Sequence, residues 1–156
     1  MRCFILRALV GAVTCLTVWL GTAPVVHGQS PENVAVVVND NSADSRRIAE
    51  HYARTRGLPE SNVLRIQTSE EAIERDAYVR TIEQPLGLAI KRAGLQDRLL
   101  YLVLTKGVPL RIVGTTGVSG TLASVDSELT LLYGRLVGQP ISLQGKIDNP
   151  YYLGCP

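Results

Sequence analysis

The sequence predicts an α/β fold, a three-layer parallel sheet built on a β-α-β-α-β unit. Two observations predict it. Val34-Ala-Val-Val-Val38 and Leu99-Leu-Tyr-Leu-Val-Leu104 are apolar runs without polar alternation, as in strands buried on both faces. Between them, segments of helical period alternate with a further short apolar run, the pattern of parallel strands joined by crossover helices.

The first strand is Val34 to Val38 and ends at Asn39-Asp40. Asn41, Ser42 and Asp44 then supply N-cap and first-turn chemistry for a helix from Ala43 to Arg56. Its apolar positions Ile48, Ala49, Tyr52 and Ala53 share a face, and Glu50 and Arg54 have the spacing of a helical ion pair. Gly57 suits a left-handed helix end, and Pro59 stops continuation. Asn62 to Ile66 reads as a second strand, weakened by Arg65. Glu70-Glu71 suit the amino end of a helix, where acids complement the dipole. Helical patterning from there reaches Ala93, and Pro85 is expected to divide it into pieces near 70–83 and 85–93, ended by Gly94.

Arg98 to Leu104 is the third strand, and Leu110 to Val113 a short fourth. A glycine-rich loop, residues 114–120, follows. Asp126 is expected to cap a third helix carrying Leu129, Leu132, Tyr133 and Leu136 at helical spacing, ended by Gly138 and Pro140. Beyond it lie one weak apolar stretch, Ile141 to Leu143, and turn-rich sequence. So few strands make a small sheet for this class, and the reading expects a fold unfinished at its carboxyl end, the amino-terminal part of a longer domain.

Residues 1–28 read as a signal peptide. Arg2 and Arg7 form the basic region, Ala8 to Leu20 is a 13-residue apolar region, and Val26-His27-Gly28 precedes the cut expected ahead of Gln29. A region of 13 residues is short for a bilayer span. The chain has 16 basic and 14 acidic residues, a net charge of +2 that residues 1–28 alone contribute. A neutral domain from residue 29 onward carries no nucleic-acid footprint and no polybasic membrane patch. The expectation is a periplasmic or secreted protein with no integral membrane segment after cleavage. Cys3 and Cys15 leave with the signal, so Cys155 is single, and an intrachain disulfide or a structural zinc site is not expected.

Carboxyl ends of parallel strands converge on one edge, where open α/β sheets build their sites. Asn39, Asp40, Thr68, Ser69, Thr105 and Lys106 fall there, and the segment with Ser124, Asp126, Ser127 and Glu128 could close over them. The candidate crevice is therefore Asn39, Asp40, Thr105, Lys106, Asp126 and Glu128. Gly107 could admit close backbone approach to an anion held by Lys106, or simply shape the strand exit. Asp40, Asp126, Glu128 and Asp148 are oxygen donors of the type that hold magnesium or calcium. Asp126 and Glu128 share a face only if extended, and lie about 200° apart if helical. The cap is the preferred reading of Asp126, so no metal and no cofactor are expected. Phosphate-loop and dinucleotide fingerprints are absent, as is a Gly-x-Ser-x-Gly elbow for Ser45, Ser69 or Ser124. His51, in mid-helix, reads as structural.

Tyr101-Leu-Val-Leu-Thr-Lys-Gly-Val-Pro-Leu-Arg-Ile112 followed by Ala123-Ser-Val-Asp-Ser-Glu-Leu129 resembles the signature of a family of exported bacterial proteins of uncharacterised activity. The chain is similar to that family also at Glu32 to Asn39, at Tyr52-Ala-Arg-Thr-Arg-Gly-Leu-Pro59 and at Asn149-Pro-Tyr151. The resemblance covers most of residues 32–152 and implies an exported α/β protein, with relatives longer than this chain. It supplies no activity, substrate or cofactor, and Leu153-Gly-Cys-Pro156 departs from the pattern.

Two functions fit these readings. One is an envelope or extracellular binding module with a protein or small-molecule partner, favoured by neutral charge and the lack of a nucleophile motif. The other is part of a peptidase-like hydrolase with its crevice at the strand ends, by fold-level analogy to caspase-like and gingipain-like enzymes.

Overall fold

A computed structural model describes residues 30–117 and 120–141. A parallel sheet is built from β1 (Val34–Asn39), β2 (Val63–Ile66) and β4 (Tyr101–Leu104), in the order β2-β1-β4. β1 is central, and its residues 35–39 are buried on both faces, as its unbroken run of apolar residues requires. Helix α1 (Ala43–Arg56) covers one face, where Val36, Val38 and Ala49 pack with Tyr52, Leu58, Val63 and Val103. The other face carries Ala35, Val37, Leu64 and Ile66 under a helical layer containing Tyr78, Ile82, Leu86, Ile90, Leu129 and Leu132. The fold is α/β, with the parallel sheet between two layers of helix.

α1 has the ends its sequence specifies. The Ser42 hydroxyl accepts from the Ser45 amide, and Gly57 closes the helix at φ 63°. Glu50 and Arg54 are not within ion-pair distance; Arg47 pairs instead with Asp44, 2.9 Å away.

The second crossover departs from expectation at its start. Residues 70–72 are not helical, because Ile73–Glu74 form strand β3, paired in parallel with β5 (Arg111–Val113). Helix then runs without a break through α2 (Arg75–Tyr78), a π turn (Val79–Glu83) and α3 (Gln84–Arg92). Pro85 therefore does not divide it. The wider π turn ends immediately before Gln84, whose amide bonds the Val79 carbonyl, and the proline sits in the first turn of α3, where its missing donor costs little. Tyr78, Ile82, Leu86 and Ile90 are all buried at strict four-residue spacing. In an ideal α-helix that spacing drifts about 120° over the three steps, and a π turn counters such drift.

β4 begins at Tyr101, not Arg98, because the Arg98 and Leu99 amides bond back to the Leu95 carbonyl in a turn. β5 does not extend the main sheet. It lies between β3 and the antiparallel β6 (Ala123–Ser124) in a second, small sheet. The third helix is two pieces, α4 (Val125–Leu129) and α5 (Leu132–Leu136). Ser124, not Asp126, occupies the cap position, and Asp126 lies inside the first turn. Among the described residues no helix is long and apolar enough to cross a membrane. Cys155, Asp148 and the 142–143 part of the weak apolar stretch lie outside the described residues.

Candidate functional site

The order β2-β1-β4 puts the switch of chain direction at the carboxyl ends of β1 and β4, the place where an open α/β sheet leaves a crevice. Here that crevice is filled. β4 pairs with β1 only as far as Val37↔Leu104, so the end of β1 needs other partners on that side. Side chains supply them. The Asn39 amide donates to Ser45 Oγ at 2.8 Å, the Ser45 and Thr105 hydroxyls are 2.5 Å apart, and Thr105 Oγ1 donates to the Val37 carbonyl at 2.8 Å. Thr105 has one proton, and it goes to Val37; Ser45 must therefore donate to Thr105. The chain of donors begins and ends on β1 backbone, with every proton committed internally.

Asn39 closes the edge from the other direction. Its Nδ2 donates to the carbonyls of Thr68 (3.0 Å) and Gly107 (2.7 Å), and its Oδ1 accepts from the amides of Thr68 (3.1 Å) and Asn41 (3.2 Å). Both donors are used and the oxygen accepts twice, so this fully buried amide ties together the segments that leave β2 and β4. Gly107 completes the closure at φ 97°; a Cβ there would stand 2.4 Å from Ser42 Oγ. Its close backbone approach is thus to the cap of α1, not to a ligand.

The charged candidates sit at the rim of this closed edge. Asp40 pairs with Arg65 at 2.6 Å, and Lys106 Nζ lies 2.6 Å from Asp44 Oδ2. The Lys106 hydrogen bond and charge hold the Asp44 carboxyl below the ordinary carboxylate range, and Asp44 in turn raises the Lys106 ammonium. Both side chains are exposed enough for salt to screen the pair.

Asp126 and Glu128 make no hydrogen bond or ion pair with Asn39, Asp40, Thr105 or Lys106. Both are helical, and they point apart as helix geometry dictates. Glu128 is buried, with Arg75 Nη1 2.9 Å from one oxygen and Arg135 Nη2 3.0 Å from the other; Arg135 also pairs with Glu83. Arg75 further donates to the Thr121 carbonyl at 2.7 Å and lies 5.9 Å from the Tyr78 ring centre. Its Nη1 contact to Glu128 is an ion pair without hydrogen-bond geometry, and the Tyr78 hydroxyl and Arg75 Nε have no hydrogen-bond partner among the described residues. This network clamps the helices on one face of the sheet. Asp126 is exposed, and the Ser124 hydroxyl and the amides of its own helix turn hold its carboxyl below the ordinary range.

Sequence reasoning singles out neither Asn62 nor the Arg75–Glu128–Arg135–Glu83 set. Asn62 is buried and ties the amino edge of the sheet through donors to the carbonyls of Glu32 (3.0 Å) and Val34 (2.8 Å). Its only signal is an asparagine ahead of a strand. His51 is exposed on α1. Among the described residues no three His, Cys, Asp or Glu side chains converge as a metal ion would require.

A concavity lies elsewhere, along β4. It is a groove of about 620 Å³, floored by Leu99, Leu100, Leu102 and Leu104 and walled by Ile90, Leu129, Leu132 and Leu136. Asp97 and Asp126 also line it, and among the described residues no lysine or arginine does. Compared with family models, with curated proteins and with solved structures, the chain matches none.

Proposed function

We propose that this chain is an exported, non-catalytic interaction module, related to the exported family its motifs resemble, and that it binds through the apolar groove beside β4. The groove carries the reading. It is a mainly apolar concave surface, and it has the volume of a ligand site. Leu100 on its floor, just ahead of β4, is 67% exposed, in an apolar run that sequence alone marks as a buried strand. The hydrolase alternative loses its candidate crevice, because the Ser45 and Thr105 hydroxyls are committed and Lys106 is paired. The basic, apolar and small-residue pattern of residues 1–28 supports export.

The test uses the whole chain, produced with its own leader and applied to envelope extract. The expected result is a stoichiometric partner that the wild type retains and Leu100→Asp does not. A partner held equally by both, or by neither, contradicts the reading. Turnover of a peptide or ester panel that falls in Lys106→Ala would favour the enzyme instead.

A further inference from the structure

The chain enters the fold beside the groove. Val34, the first residue of β1, lies opposite Tyr101, the first of β4. Just ahead of them the Leu100 amide donates to the Asn33 carbonyl at 2.8 Å, and Arg98 pairs with Glu32 at 3.1 Å. Asp97, Leu99 and Leu100 of that same stretch line the groove. The segment that precedes Ser30 therefore joins the fold next to the groove.

That segment matches the groove in composition. Ala8 to Leu20 is its apolar region, and Arg2 and Arg7 are the only charged residues among residues 1–28. The groove offers a leucine floor and two carboxylates, Asp97 and Asp126. Among the described residues neither carboxylate takes part in an ion pair. Asp97 accepts from the Tyr133 hydroxyl at 3.3 Å, and Ser124 and the helix turn hold Asp126 below the ordinary range. Residues 142–156 also follow a helix that lines the groove, but they balance Lys146 against Asp148 and hold no apolar run of comparable length. Charge complementarity thus favours the leader. Its reach suffices: residues 21–29, when extended, span up to about 30 Å, roughly twice the length of β4.

We infer that in the uncleaved chain the apolar region of the leader occupies this groove, with Arg2 and Arg7 drawn to Asp97 and Asp126, and that removal of the leader opens the groove to its partner. This rests on the interaction-module reading for what the open groove does. The tether carries the regulation. A segment joined by so short a linker acts at an effective concentration of about 1 mM, so a contact with a dissociation constant of about 0.1 mM keeps the groove closed roughly nine-tenths of the time. A signal peptidase hydrolyses the Gly28–Gln29 bond, water adding across it to leave a carboxylate and an amine. The tether is then gone, and so weak a contact no longer competes with a partner.

Trp19 is the one tryptophan of the chain and lies in the apolar region of the leader, so its fluorescence reports on the contact directly. The full chain is synthesised without membranes, which keeps the leader attached, and acrylamide quenching of Trp19 is measured in buffer and in urea. In buffer the wild type should be quenched at least about threefold less than in urea. Leu100→Asp should raise quenching in buffer about threefold, and Asp97→Asn combined with Asp126→Asn should raise it about twofold. All three residues are exposed, so these variants keep the fold. Equal quenching of the wild type in buffer and in urea, as with residues 142–156 in the groove, overturns the inference. Protection that both variants leave unchanged overturns it too, and protection that grows with protein concentration does so in favour of a leader held by a second copy. The module reading is judged apart from these outcomes, by whether the exported chain retains its partner and Leu100→Asp does not.

Discussion

Tyr78 is fully buried beside the Glu128 carboxylate. Burial first, and the Glu128 charge second, push its ionisation well above the ordinary value of 10.0. The folded protein thus holds a proton that the unfolded chain releases from about pH 10 upward, and stability is lost as pH rises through that range. Phenylalanine keeps the ring and removes the titrating group. Tyr78→Phe should unfold within about 1 kcal/mol of the wild type near neutral pH. Between about pH 9 and pH 11 it should lose less stability than the wild type. Denaturant titration at the two pH values measures this, and parallel losses would show that Tyr78 ionises freely in the fold. Asn39 and Glu128 teach the same lesson from the sequence side. Residue type marked both as candidates, yet their roles depend on partners 29 and 68 positions away for Asn39, and on Arg75 and Arg135 for Glu128. Nothing local in a sequence distinguishes an amide facing solvent from one whose donors are both spent inside.

Element boundaries were legible where local chemistry sets them. Ser42 and Gly57 bound α1 through a side-chain cap and a positive φ, both properties of a single residue and its near neighbours. The unbroken Val34–Val38 run announced a central strand for the same reason. β3 was not legible, because two residues become a strand only through pairing with β5, almost forty residues later. The π turn was hidden as well: proline predicts a break locally, whereas the burial of Tyr78, Ile82, Leu86 and Ile90 on one face holds the helix together. The exit from β4 offers a prediction at this scale. Gly107→Ala would place a Cβ 2.4 Å from Ser42 Oγ at a φ of 97°, straining the loop and the α1 cap together. The substitution should cost about 2 kcal/mol or more, with a lower thermal midpoint. An unchanged midpoint would mean that the loop does not pack on α1 as described.

At the scale of the molecule, the carboxyl edge that the fold class nominates as a site is held shut by internal hydrogen bonds, and the groove beside β4 is the surface to which the proposed binding is assigned. Asn39, Ser45 and Thr105 close the sheet end with hydrogen bonds whose partners all lie inside the protein. Leu100, by contrast, is exposed on an apolar floor. The two regions should therefore respond to mutation in opposite ways. The most direct test measures retention of the envelope partner by Thr105→Val and Leu100→Asp and records each variant's unfolding free energy. Thr105→Val should lose about 1–3 kcal/mol of stability and keep its affinity for the partner. Leu100→Asp should stay within about 0.5 kcal/mol of the wild type and lose the partner. The reverse result, with affinity lost in Thr105→Val and kept in Leu100→Asp, would return the site to the strand ends and contradict the account.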